Sequence, residues 1–422
     1  MNFFHYENGE LYCEEIPLAK IADEIGTPAF VYSRRTLERH FRVFQEPFSP
    51  VNHLICYSVK ACSNLAVLKV FSRLGAGMDI VSGGELYRCL RAGVPASRIV
   101  YSGVGKKASE IDEALLAGIL MFNVESESEL ALLNARAKSL GAQAPAALRV
   151  NPDVDPKTHP YISTGLKKNK FGISASRAID LYQQALQMSN VEPIGVDCHI
   201  GSQLTDLSPF LEAIEKLIVL IEELRSRGIE IRYLDVGGGL GIPYDQEEPP
   251  VPEAYGKAIV DRASDLGVTL ILEPGRLLVG NAGILLTSVL YVKKTKQKNF
   301  VIVDAAMNDL IRPTLYDAHH HIQPVFQRQD ADRAGFITAD IVGPICESGD
   351  YLAKSRTLGY VDEGDILAVM SAGAYGFSMS SNYNSRPRAP EILVDGDNYY
   401  VVRERETYAD LVRGERIPPH LL

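Results

Sequence analysis

The stretch "LICYSVKACSN" (residues 54–64) is an apolar run that ends in a lysine, and from Asn64 onward "LAVLKVF" takes up helical spacing. A strand covered on both faces reads as a continuous apolar run, without the alternation of a half-solvated strand. The same unit recurs along the chain. "GMDIVS" (77–82), "RIVYSG" (98–103), "LMFNVES" (120–126), "AALRVNP" (146–152), "GVDCHIGS" (195–202), "RYLDVGGG" (232–239) and "TLILEPG" (269–275) are further short apolar runs. Helix-period segments such as "PFLEAIEKLIVLIEELRSRG" (209–228) separate most of them. About eight βα units over roughly 250 residues predict a closed (β/α)₈ barrel. An open doubly wound sheet is the competing architecture, but its glycine fingerprint belongs at the first βα turn, and none stands there.

Past about Gly283 the texture changes. "ILLTSVLYVKKTKQKNFVIVDAA", "RAGFITADIVGPI", "DILAVMSAG" and "APEILVDGDNYYVVRER" are strand-like and carry turn signals such as Asp395-Gly396. The N-terminal "FFHYENGELYCEEIPL" predicts a hairpin turning at Asn8-Gly9. The expected organisation is an α/β chain in three pieces. Residues 1–27 join a β domain, 28–282 form the barrel, and 283–422 form the all-β C-terminal domain.

Composition bounds the function. With 422 residues, 46% apolar and 23% charged, the chain is of ordinary globular make-up and long enough for two domains. A net charge of −10 without a basic face argues against nucleic acid. No apolar run reaches the roughly 20 residues that a membrane helix needs. The N-terminus carries early acids instead of a basic signal-peptide region. Six cysteines (13, 56, 62, 89, 198, 346) without CxxC spacing read as reduced thiols. Together these predict a cytoplasmic chain.

Active-site groups of such barrels gather at the C-terminal ends of the strands. Those ends supply Lys60, Asp79, Ser102, Asn123, Arg149 with Asn151, His199 with Ser202, Gly237–Gly239, and Glu273 with Arg276. These are the parts needed to hold an aldehyde cofactor that carries a phosphate. A lysine at the end of a buried strand suits imine formation, which needs the neutral amine; by itself it could equally be a snorkelling rim lysine. "DVGGGLGIPY" (235–244) can form a phosphate nest or a plain tight turn. In "LEPGRLLVG" (272–280), Glu273 could keep a pyridine ring protonated and Arg276 could fork onto an anion; an ordinary surface pair is the alternative. His199 could stack on a flat ring and Ser202 could donate to phosphate. Three adjacent histidines in "AHHHIQP" (318–324) cannot converge on one ion, so no metal is assigned. "SGVGKK" (102–107) lacks phosphate-loop spacing.

With these motifs in hand, the chain resembles the fold-type III pyridoxal-phosphate-dependent decarboxylases over essentially its whole length. "YSVKA" is similar to their lysine motif, with Ser58 and Cys62 where alanine and asparagine are more usual. "HPYISTGLKKNKFG" (159–172) resembles the diaminopimelate-specific branch more than its ornithine- or arginine-specific relatives. The resemblance implies pyridoxal 5′-phosphate bonded to Lys60, paired with Glu273 at the ring nitrogen and stacked on His199. It implies phosphate contacts from Ser202, Gly238, Gly239, Gly275, Arg276 and Tyr375, with Asp79 and Pro274 also against the cofactor. In "CESGDYL" (346–352), Cys346 would be the proton donor and Glu347 the partner of the substrate's distal ammonium. Arg276, Arg312 and Tyr316 would grip the distal carboxylate, and Tyr375 would also touch substrate. The implied enzyme is a homodimer, or an oligomer of dimers, that shares its site between subunits and converts meso-diaminopimelate to L-lysine and carbon dioxide, the last step of lysine synthesis. A racemase would place arginine where Glu273 stands. A silent regulator of this fold would tend to lose Lys60 or Cys346, and both are present.

Overall fold

Eight strands, β1 (His53–Ser58), β2 (Gly77–Ile80), β3 (Ile99–Tyr101), β4 (Met121–Val124), β5 (Ala144–Asn151), β6 (Val191–Asp197), β7 (Tyr233–Asp235) and β8 (Thr269–Leu272), pair in parallel, each with the next in sequence. The ring closes where Leu270–Leu272 pair with His53–Ile55. The computed structural model describes residues 2–155, 170–327 and 335–422. Most of the signature at 159–172 therefore lies outside the described residues.

The barrel interior is packed. Leu54, Cys56, Val100, Met121, Ala147, Ile194 and Ile271, from six different strands, form one buried cluster. Residues of alternate parity face the helices, as where Tyr57 packs on Phe71 with ring centroids 4.5 Å apart. The helices start where the sequence supplies caps. The Asn64 side chain accepts from Ala66 N, Ser82 from Glu85 N, and Ser126 from Glu129 N. The eight runs read from sequence are the eight barrel strands, and Asn64 is the cap of the first helix.

The chain divides into two units, residues 37–279 and residues 1–36 with 280–422. In the second, Phe4–Glu7 and Glu10–Cys13 form the N-terminal hairpin, and Asn8 and Gly9 both take positive φ (50° and 83°) at its turn. Phe4, Leu11, Cys13 and Ile16 share a core with Ile284, Leu286, Ala368, Ile392 and Val394. The start at residue 28 expected for the barrel needs correction. Ala29–Ser33 pairs with Gly283–Leu286 on one side and with Glu391–Val394 on the other. Its run is as apolar as a barrel strand, and only its pairing reveals where it belongs.

"SGVGKK" has a structural role. Lys106 turns inward, and its Nζ lies 2.7 Å from Glu129 Oε1, 2.7 Å from Asn123 O and 2.9 Å from Gly103 O. Removing one partner of a buried ion pair strands the other charge, at a cost of about 3–5 kcal/mol. Lys106→Ala is therefore expected to destabilise the chain by about 3 kcal/mol, read as a fall in the urea midpoint with an unchanged m-value.

Candidate active site

The mouth of the barrel is built from the loops that follow its strands. After β1 the chain makes a single 3₁₀ turn, Val59–Ala61, which carries Lys60 just beyond the strand. Lys60 Nζ lies 2.8 Å from Asp79 Oδ2, at the end of β2. Ser58 Oγ donates to the same oxygen at 2.8 Å. Asp79 is fully buried, and its Oδ1 has no hydrogen-bond partner among the described residues. The lysine is thus a one-third exposed cation held against a buried carboxylate, which rules out a freely snorkelling side chain.

Three further loops meet closely at the same end of the barrel. A side chain on Gly238 would place its Cβ 2.1 Å from the Glu273 carbonyl oxygen, and one on Gly239 would lie 2.3 Å from Gly201 O. Gly237 (φ 66°) and Gly239 (φ 115°) also need the left-handed region. Gly238 N donates to His199 Nδ1 at 3.2 Å. That bond fixes the ring as an acceptor at Nδ1, with its proton on Nε2. Burial pushes the imidazole well below the ordinary histidine range, reinforced by Arg149 and Lys60, so the ring is neutral and suited to stacking.

Arg276, in the short helix after β8, donates from Nη1 to Tyr244 OH (2.8 Å) and from Nη2 to Ser202 Oγ (3.1 Å). Gly275 and Pro274 link it to Glu273. Ser58 N donates to Pro274 O, so the first and last strand-end loops are joined directly.

Glu273 lies in a nest of buried acids. One oxygen from each of Asp197, Asp235 and Glu273 falls within 4.8 Å of the others. Burial raises Glu273 well above the ordinary carboxyl range, with Asp235, Asp79 and Asp197 adding to the effect and Lys60 opposing it. Burial also lifts Asp235, to about 6, against the Gly237 N–H that favours its charge. Asp197 and Asp235 carry a signal that the sequence reading missed: both end buried strands, and the two are paired across β6 and β7. Arg149 binds Glu125 (2.6 Å) and reaches the His199 carbonyl, while Glu125 also accepts from Gly172 N.

Arg312, Tyr316, Cys346, Glu347 and Tyr375 all belong to the β unit. Arg312 is buried and donates to His320 Nε2 at 2.9 Å, while His320 Nδ1 faces Met370 O at 2.9 Å. The middle of the histidine run thus orients an arginine. Tyr316 closes the five-residue helix Arg312–Tyr316. Asp350 braces the loop of Cys346 and Glu347 by accepting from Met307 N and Ile345 N, each at 2.7 Å. Cys346 is exposed, and both its N (3.2 Å) and its Sγ (3.3 Å) face Asn384 Oδ1. Tyr383 OH donates to Glu347 at 2.9 Å. Tyr375 adopts a left-handed φ of 57°.

Residues 34–280 match the family model described as pyridoxal-dependent decarboxylase, pyridoxal binding domain. The chain is 53% identical over 421 residues to the diaminopimelate decarboxylase of Vibrio cholerae, covering 99% of this chain and all of that one. Its fold matches the M. jannaschii diaminopimelate decarboxylase solved with L-lysine, with TM-score 0.94, 41% identity and 99% of each chain covered. The Helicobacter pylori diaminopimelate decarboxylase solved with L-lysine matches at TM-score 0.90 and 43% identity, over 94% of this chain and 98% of that one. The chain belongs to the diaminopimelate decarboxylases. As a member of that family it is a carboxy-lyase dependent on pyridoxal 5′-phosphate. The mouth suits the cofactor: an amine for its aldehyde, an orphaned buried carboxylate oxygen beside that amine, and a neutral flat ring.

Two outcomes follow for this diaminopimelate decarboxylase-family chain. Overpacking costs about 1–3 kcal/mol, so Gly238→Ala should weaken cofactor retention about tenfold or more, read as absorbance surviving gel filtration. Glu85, whose Oε2 accepts from Val81 N, is lifted by burial from 4.5 to about 7. Its contribution to stability is full below about pH 4.5 and is lost as pH rises through about 7. Glu85→Gln should therefore gain in thermal midpoint relative to wild type between those pH values.

Proposed function

We propose that the chain decarboxylates meso-2,6-diaminopimelate to L-lysine and carbon dioxide, the last step of lysine synthesis, as a cytoplasmic homodimer whose subunits complete each other's sites. The observation that carries the reading is Lys60 held on buried Asp79 in a chain that matches diaminopimelate decarboxylases from end to end. The lysine complexes of two relatives support the product. The five buried thiols, none of them in a disulfide, support a reducing compartment.

Pyridoxal 5′-phosphate supplies an aldehyde for covalent capture and a protonated ring that accepts the electron pair left by departing carbon dioxide. Lys60 provides the amine, and Asp79 orients it. His199 covers one face of the ring and Glu273 holds its nitrogen. Ser202, Gly238, Gly239, Gly275, Arg276 and Tyr375 bind the phosphate, and Pro274 shapes the turn between Glu273 and Gly275. At the far end of the substrate, Arg276, Arg312, Tyr316 and Tyr375 hold the distal carboxylate, and the Glu347 carboxylate holds the distal ammonium. Cys346, together with Glu347, acts in the partner subunit's site. Its S–H delivers the proton that replaces carbon dioxide. The His320–Arg312 and Asp350–loop contacts support this division of labour, because they hold each group before substrate arrives.

Borohydride should fix the cofactor chromophore onto Lys60, and Lys60→Ala should lose decarboxylation of meso-diaminopimelate. Cys346→Ala should slow it by roughly 10²–10⁴-fold, the usual contribution of a general acid. Mixing the two inactive variants under subunit exchange should restore about a quarter of wild-type activity, since a two-fold dimer then has one intact site in half of the molecules. If no activity returns although mixed dimers form, the shared site is wrong.

A further inference from the structure

Beneath the ring-nitrogen partner lies a group to which the reaction as described assigns no task. Asp235 ends β7, fully buried. Its Oδ1 accepts from Gly237 N at 2.9 Å and its Oδ2 from Asn123 Nδ2 at 3.2 Å. Among the described residues, the donors to Glu273 Oε1 stand at the long edge of hydrogen bonding, Ser102 Oγ at 3.3 Å and Asn123 Nδ2 at 3.5 Å, and Asp235 is itself a side-chain hydrogen-bond partner of Glu273. Two amide donors favour the ionised form of Asp235, whereas Glu273 is left to be the acid. Two buried carboxyls this close share one proton more cheaply than they bear two charges.

We propose that Asp235 is a positioning residue for the cofactor's ring nitrogen: its charge keeps a proton on Glu273 until the cofactor arrives and, once the proton has passed to the ring, helps to hold it on the nitrogen. The inference rests on Glu273 being the ring-nitrogen partner. The step is a plain proton transfer in which the O–H bond of Glu273 breaks, an N–H bond forms on the ring, and Glu273 is left as carboxylate. No redox partner is needed.

The surrounding charges fit this division. Asp79 from β2 and Asp197 from β6 add negative potential at Glu273, and Lys60 from the turn after β1 opposes them. Arg149 from β5 acts mainly on Asp197 and Glu125. Asp197 is itself pushed up by burial toward its neutral form, and its Oδ1 has no hydrogen-bond partner among the described residues. Cys56 below, Cys198 beside, and Tyr255 from the helix outside β7 are raised by burial and stay neutral. Of the two acids with an oxygen within 4.8 Å of Glu273, Asp235 is therefore the one seen to accept from N–H donors among the described residues.

The test uses holoenzyme loaded with pyridoxal phosphate labelled with ¹⁵N in the ring, whose chemical shift reports protonation of that nitrogen. Wild type should be protonated through neutral pH. Asp235→Asn should lower the titration midpoint by about one pH unit or more, a tenfold loss of proton affinity. Asp197→Asn, which removes an acid whose Oδ1 has no hydrogen-bond partner among the described residues, should move it less. An unprotonated ring nitrogen in wild type refutes the reading of Glu273 itself. A protonated one whose midpoint is the same in Asp235→Asn, or moves equally in Asp197→Asn, refutes only the role of Asp235. Should Asp235→Asn not fold, wild type gives a second reading. Cofactor binding should remove a protonated-carboxyl infrared band, and that loss should be missing in Glu273→Gln. A wild-type spectrum without such a loss overturns the proposal.

Discussion

Everything at the barrel mouth depends on closure, the pairing of β8 with β1. Closure sets two loops from opposite ends of the barrel sequence side by side. Ser58 N then donates to Pro274 O at 3.1 Å and Ser58 Oγ to Glu273 O at 3.0 Å. Ser58 also donates to Asp79, the partner of Lys60. One small side chain thus ties the lysine loop, its carboxylate partner and the backbone of Glu273 together. An open sheet would leave Lys60 and Glu273 on separate edges, with no shared site.

Closure also concentrates charge. Buried acids end β2, β6, β7 and β8, and burial pushes Asp197, Asp235 and Glu273 toward their neutral forms. Such a mouth favours a ligand that brings positive charge to its floor, which a ring nitrogen and an imine do. His199 is tuned the other way, held neutral by burial and by nearby cations, so its ring can lie against the cofactor without competing for the acids. Burial is the leading cause of both the lowered histidine and the raised carboxyls.

The sequence made the strands legible because burial on both faces leaves continuous apolar runs, and the strand-end rule then located Lys60, His199, the glycine turn and Glu273. Register was not legible. Asp197 and Asp235 can be read as strand-end acids, but only their pairing across neighbouring strands joins them to Glu273. Ala29–Ser33 passed for barrel because its composition matches, while its hydrogen bonds go elsewhere. That the middle member of the histidine run orients Arg312 required the fold. Lys106 likewise shows nothing in sequence of the inward turn that pairs it with Glu129.

The most direct measurement is carbon dioxide release from meso-diaminopimelate beside L-lysine, L-ornithine and L-arginine. In the proposed site Arg276 and Arg312 would be left unpaired by substrates that lack a distal carboxylate, and sites built to bind a polar group reject analogues without it by about 10⁴–10⁵ in kcat/KM. The account predicts turnover of meso-diaminopimelate with a preference of that order over the other three. Comparable or better turnover of ornithine, arginine or lysine would contradict it.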